Sequence, residues 1–149
     1  MTNKNPKQSE GFTIIEVLIV LAVAGLIMLI VFLAVPALQR SSRNTQRKQE
    51  VSELLGAVNE WTNNNNGALP ASSADQAAAL SNANLSFYKG NVTWTSGAQT
   101  NNTTVDTAVI DTGAACSTSG NSEVGSTRQL VILYTVETGS GSQHLCQSS

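Results

Sequence analysis

The sequence predicts an α+β protein in which one long N-terminal α-helix forms the spine for a small antiparallel β-sheet head. Three observations lead there. From Val17 to Leu38 no residue is charged, and the apolar run starts at Phe12 with Glu16 as its one carboxylate. Beyond it, Val51, Leu54, Leu55, Val58 and Trp61 fall at the spacing of one helical face. After the Asn63–Gly67 stretch, short β-prone runs alternate with Gly-, Ser- and Asn-rich turns.

The helix comes first. Phe12 to about Thr62 reads as one continuous helix, about 75 Å long at ~1.5 Å per residue. Its first half, 12–38, is apolar all round and long enough to cross a ~30 Å hydrocarbon layer. Its second half, 39–62, is amphipathic, and the stripe from Val51 to Trp61 is the face that a head domain over 63–149 would cover. A coiled coil is excluded, because the first half has no charged flanks beside its apolar seam. Gly25 costs about 1 kcal/mol relative to alanine. Pro36 removes the hydrogen bond to the Phe32 carbonyl, so a kink is expected at 32–36. Asn63–Asn66 and Gly67 end the helix.

In the head, Ser73 with Gln76 three residues on predicts the capped start of a short helix within 72–80. Phe87-Tyr88 and Val92–Thr95 flank Lys89-Gly90-Asn91, a hairpin signal. Thr103–Ile110 alternates loosely and reads as a strand. Gln129–Val136 is the strongest strand, and its continuous apolar run predicts cover on both faces. Thr138–Ser142 reads as a turn, with a short last segment from Gln143 to Cys146. The expected product is an antiparallel sheet of about four strands laid on 50–62.

Charge and composition narrow the function. The chain has 149 residues and a net charge of −2, which gives no argument for a nucleic-acid partner. Arg40, Arg43, Arg47 and Lys48 cluster just after the apolar run, and the rest is rich in Ser, Thr, Asn and Gly. Such a neutral, Lys-poor surface suits an extracellular face. Cys116 and Cys146 read most simply as one disulfide in a small head outside the cytoplasm, worth roughly 3–4 kcal/mol; two buried free thiols are the alternative. No catalytic set is visible. His144 is the one histidine, so neither a Ser-His-Asp arrangement nor a metal site or cofactor is assigned. Asp106 and Asp111 lack the spacing of a calcium loop. The Asn91-Val92-Thr93 and Asn101-Asn102-Thr103 triplets are sequons that a Thr- and Asn-rich chain produces by chance. Tyr88 and Trp94 are read as core residues.

The front of the chain is not an ordinary secretory signal. No small-residue cleavage site follows the apolar run; the small residue, Gly11, precedes it. Cutting after Gly11 would remove residues 1–11 and leave the apolar helix in the mature chain, beginning at Phe12. The order Gly11, Phe12, Thr13, Glu16 and then a span resembles the leader and first helix of type IV pilins and pseudopilins. The resemblance implies the pilin fold, removal of the leader by prepilin peptidase and N-methylation of Phe12. It also implies that Ser117–Leu145, between the cysteines, is the exposed face. Basic residues after the span oppose the positive-inside tendency, but leader and cysteines together place the head outside.

Glu16 has two readings. Near a membrane interface a carboxylate is cheap. Packed among apolar helices in a fibre it would cost several kcal/mol unpaired. The resemblance implies that the amine of a neighbouring subunit's Phe12 pairs with it and sets the register. Pairing within the subunit, at i, i+4, competes. The resemblance also implies that the stretch between Gly25 and Pro36 can loosen in a fibre; a simple kink at Pro36 is the alternative. The expected function is therefore a non-enzymatic structural subunit of a pilus-like surface filament. Its partners would be further copies of itself, prepilin peptidase, and an assembly platform with its ATPase. It would sit in the cytoplasmic membrane with the head outside before assembly, and in an extracellular filament after it. The rivals are a pseudopilin of a secretion or DNA-uptake machine and a monomeric membrane-anchored adhesin.

Overall fold

A computed structural model describes residues 11–149; residues 1–10, most of the expected leader, lie outside the described residues. The structure has helix α1 (Ile14–Asn64), helix α2 (Ser73–Leu80) and strands β1 (Val92–Ser96), β2 (Ala108–Thr112), β3 (Ala114–Cys116), β4 (Ser122–Val124), β5 (Leu130–Glu137) and β6 (Ser142–Ser148). It separates into two units, with the boundary between Leu38 and Gln39 inside α1.

The first unit is helix from Ile14 onward, and α1 stays helical through Gly25 and Pro36. All of its residues from Gly11 to Leu38 are exposed.

The second unit, Gln39–Ser149, is a helix packed on a small sheet. Val51, Leu54 and Val58 are fully buried, and Leu55 and Trp61 pack at the edge of the same cluster. Each large side chain buried in this way contributes about 1.5–3 kcal/mol. The helix ends where Asn66 and Gly67 take positive φ, 57° and 80°, and the Gly67 N–H donates to the Thr62 carbonyl at 2.8 Å. This left-handed pair is the terminator that the Asn-Asn-Gly sequence supplies.

The cap of α2 is Ser72 rather than Ser73. Its hydroxyl accepts from the Asp75 N–H, and the Asp75 carboxylate accepts from the Ser72 N–H. The Ser73–Gln76 spacing is the same, but an ionised acceptor makes the stronger partner for a backbone amide.

The main sheet has the order β1-β2-β5-β6. β2–β5 and β5–β6 are antiparallel, as expected, whereas β1 lies parallel to β2, with Val92 opposite Ala108 and Ser96 opposite Thr112. The hairpin expected from Phe87-Tyr88 does not form. The backbone N–H groups of Ser86, Phe87 and Tyr88 all donate to the Glu50 carboxylate, at 2.9–3.2 Å, and are lost to any ladder. The strand expected at Thr103–Ile110 begins only at Ala108. Thr103 N–H and Thr104 N–H donate instead to the side chains of Asn101 and Thr107. The last segment is longer than expected, a strand from Ser142 to Ser148.

β5 is buried on both faces, from Leu130 to Val136. Leu130, Ile132, Tyr134 and Val136 join the cluster of Val51, Leu54 and Val58. On the other face Thr135 bonds Thr103, and the small antiparallel pair β3–β4, which the sequence reading did not anticipate, adds a second layer. The disulfide joins Cys116 on β3 to Cys146 on β6. Gly120 lies in the turn before β4 at φ 79°, and a Cβ there would stand 2.4 Å from the His144 carbonyl oxygen. Only glycine fits.

Candidate processing and assembly segment

Gly11, Phe12 and Thr13 precede the helix in non-helical chain. Phe12 is 89% exposed, and among the described residues no atom comes within 4 Å of a Cβ placed on Gly11. The helix starts sharply because Thr13 caps it. The Thr13 hydroxyl accepts from the Glu16 N–H at 3.4 Å, and the Glu16 carboxylate accepts from the Thr13 N–H at 2.8 Å and from its hydroxyl at 2.7 Å. This is a capping box, and the carboxylate also favours the positive end of the helix dipole. Sequence reasoning missed this role for Thr13, although the Thr-x-x-Glu spacing before an apolar run carries the signal. Both bonds that the carboxylate accepts fall on Oε2; among the described residues Oε1 accepts none.

Behind the cap, nineteen large apolar side chains from Phe12 to Leu38 are exposed, the least of them Val35 at 39%. Covering them would be worth on the order of 30 kcal/mol at ~1.5 kcal/mol each. That is more than a folded domain's whole net stability. This segment has an 18-residue window of mean hydropathy 3.3, long and apolar enough to cross a membrane.

In the second unit, the basic cluster after the apolar run is partly neutralised by the head. Arg43 forks onto Glu137, at 3.1 Å from Nε and 2.6 Å from Nη2, and Arg47 Nη1 meets the same carboxylate at 2.9 Å. The hydrogen bonds of Arg43, followed by those of Arg47, hold the Glu137 carboxyl down at about 2. Asn44 exchanges two hydrogen bonds with the Glu137 backbone and caps the end of β5. Arg47 is 2% exposed; it also donates to the Val105 carbonyl and stacks over the Phe87 ring at 4.8 Å. Two of the four cations after the apolar run are thus tied to one acid in the folded head.

The remaining candidates have structural neighbours. The Asp106 carboxylate faces Arg47 at 3.7 Å. Asp111 is buried, bonded to Ser122, and its carboxyl is pushed up by burial. The two acids are therefore engaged separately, and among the described residues no three His, Cys, Asp or Glu side chains gather as a metal site. His144 Nδ1 bonds the Thr135 hydroxyl at 2.8 Å. Asn101, the second sequon residue, is buried, and its amide donates to the carbonyls of Gly120, Tyr134 and Leu145. Asn91 is exposed. Tyr88 is fully buried and Trp94 packs against the core cluster.

Residues 6–32 match the family described as the prokaryotic N-terminal methylation motif. This is the prepilin leader signature of type IV pilins and pseudopilins, and it spans Gly11, Phe12, Thr13 and Glu16. No curated protein and no solved structure matches the chain.

Proposed function

We propose that this chain, which carries the prepilin leader signature, is a structural subunit that prepilin peptidase trims after Gly11 and that then polymerises through its apolar helix into a type IV pilus-like filament. One observation carries the reading. The segment behind the motif exposes apolar side chains on every side, which suits a lipid environment first and neighbouring helices of the same kind later. The cytoplasmic membrane holds the subunit before assembly, and the platform and its ATPase extract it.

Trimming converts Phe12 into a terminal amine four residues from Glu16. The capping box occupies Oε2 and leaves Oε1 for a neighbour's Phe12 amine. Winding the helix and pairing subunits therefore use different atoms of one carboxylate. Gly25 and Pro36 bound the stretch that loosens when such helices pack. The chemistry is structural: Gly11 and Phe12 are substrate atoms of another enzyme.

Mass spectrometry of the native protein tests the processing: the mature chain should begin at N-methyl-Phe12. Electron microscopy of sheared surface material should show filaments containing it. Glu16→Gln should be inserted and trimmed but assemble poorly. An intact leader on dispersed single molecules would refute the reading and favour an anchored adhesin. A short periplasmic rod in place of a surface fibre would identify a pseudopilin.

A further inference from the structure

The four-stranded sheet has two edges, and the fold treats them differently. β6 is one edge. The Ser149 N–H donates to the Leu130 carbonyl and the Thr138 N–H to the Gly141 carbonyl, so the odd-numbered residues of β6 bond β5. Ser142, His144, Cys146 and Ser148 turn their backbone groups outward. That edge is occupied at its middle: a Cβ on Gly120 would stand 2.4 Å from the His144 carbonyl oxygen, and Cys146 is tied to Cys116 on β3. β1 is the other edge. The Asn91 carbonyl accepts from the Ala108 N–H and the Gly97 N–H donates to the Thr112 carbonyl, so in this parallel ladder Thr93 and Thr95 face β2 as well. Val92, Trp94 and Ser96 therefore point N–H and C=O away from the sheet, and among the described residues these groups have no hydrogen-bond partner. Exposed edges are usually guarded by charges or proline, yet from Gly90 to Thr104 the chain has neither. A groove of about 400 Å³, lined by Leu80, Ala83, Leu85, Lys89 and Val92, lies beside the start of the strand, so the end of α2 leaves it uncovered there.

From this we infer that β1 is a strand-pairing surface and that its occupant is β1 of a second copy, lying antiparallel to it. Pairing with the second copy's β6 is blocked, because that edge is already covered at His144. β1, in contrast, complements itself. A two-fold axis through Trp94 sets Val92 opposite the second copy's Ser96 and Trp94 opposite its own counterpart. Every outward N–H and C=O of Val92, Trp94 and Ser96 then finds a partner. Thr93 falls opposite the second copy's Thr95, a favourable cross-strand pair, and the half-buried Trp94 rings meet and are covered. The nearest cation, Lys89, falls opposite Gln99, so no like charges meet. The consequence rests on the filament reading above. Within the second unit α1 packs along one face of the sheet, so the axis that reverses β1 also reverses this part of α1. Copies in one filament all point the same way; the second copy therefore belongs to another filament running in the opposite direction. β1 joins filaments into bundles. Each joint is a short isologous contact, but every subunit along the fibre repeats it, and many weak joints act together.

Single cysteines in full-length filaments from the native organism test this. Cys116 and Cys146 are bonded to each other and leave no competing thiol. Thr93→Cys filaments, dispersed, mixed with Thr95→Cys filaments and oxidised, should yield a disulfide-linked dimer of the chain on non-reducing gels. The two positions face each other as a non-hydrogen-bonded pair about 4.5 Å apart. Thr93→Cys filaments oxidised alone should stay monomeric, since the two 93 positions lie diagonally, about 7–8 Å apart and beyond disulfide reach. As a second line, Ser96→Pro and Thr93→Lys should each keep the filament yield and lower the low-speed pelleting of sheared filaments several-fold. The Ser96 N–H faces the open edge, so proline there costs the head no ladder bond, and the Thr93 side chain is exposed. If Ser96→Pro does not fold, Thr93→Lys decides. No dimer from the mixture, an equally strong dimer from Thr93→Cys alone, a cross-link only to a different protein, or unchanged pelleting of Thr93→Lys filaments would overturn the joint. Absence of filaments from the unmodified chain would instead overturn the filament reading; the same cysteine mixture, oxidised as full-length chains in detergent, then still decides the pairing of β1.

Discussion

Replacing Glu50 by alanine should be among the most damaging single changes in the head. The carboxylate is 6% exposed and accepts from three consecutive backbone amides, those of Ser86, Phe87 and Tyr88. Removing it leaves those donors without a partner beside a fully buried Tyr88. Each orphaned buried donor costs about 1–3 kcal/mol. Water can reach part of the segment, since Ser86 is exposed and Phe87 half-buried, so the lower end applies, and the expected loss is about 3–5 kcal/mol. Glu50→Gln keeps the shape but supplies one oxygen in place of two, and its amide group would face an N–H. It should cost about 1–3 kcal/mol. The assay is urea denaturation of the full chain in detergent, followed by tryptophan fluorescence. Both tryptophans, Trp61 and Trp94, pack against the head cluster and report it alone. A loss below about 0.5 kcal/mol for the alanine variant would refute the reasoning, because it would mean that water solvates the three amides equally well.

Three further outcomes follow from the same structure. Glu137 sits at about 2 in the folded head against an ordinary 4.5, so its contribution is complete above about pH 4.5 and is lost as pH falls toward 2; acid titration of stability should show this, and Glu137→Gln should flatten it. Breaking the Cys116–Cys146 bond, which closes a separation of 30 residues, should lower stability by roughly 3–4 kcal/mol; Cys146→Ser with Cys116→Ser in the same denaturation assay checks it. Gly120→Ala must push against the β6 backbone at His144 and take an unfavourable φ, so a loss of at least about 1–3 kcal/mol is expected by thermal unfolding.

What could be read from the sequence was what lies in local patterns. The apolar run, the Val51–Val58 stripe, the Asn-Asn-Gly stop and the uninterrupted β5 are periodicity and turn chemistry, and each appears where the residues put it. What could not be read depends on partners far along the chain. Glu50 meets amides 36–38 residues on, and Arg43 meets Glu137 at a separation of 94. No periodicity marks a charged residue on a buried face, so the stripe announces neither the acid nor the arginine beside it. That blind spot also produced the false hairpin, since Phe87 and Tyr88 look like strand residues until Glu50 takes their amides. The parallel pairing of β1 with β2 was hidden for a related reason. The crossover from Gly97 to Thr107 is held by side chains such as Asn101, with no helix to announce it. In the processing segment, the Thr-x-x-Glu spacing before an apolar run is itself the local mark of Thr13 as the cap.

The two-sided cover of β5 bears on the order in which the head can close. Val51, Leu54 and Val58 lie early in the chain, yet the strand that seals them, Leu130–Glu137, comes about eighty residues later. β2 finds its antiparallel partner only there too. A chain emerging from its front end therefore carries an open, greasy groove for most of its synthesis, and everything up to Gln129 is without a lid. Closure should be a late, single event dominated by distant contacts, and slow for a head of this size. Nascent chains halted before Leu130 would be easy prey for proteases, whereas those extended past Glu137 should become resistant in one step.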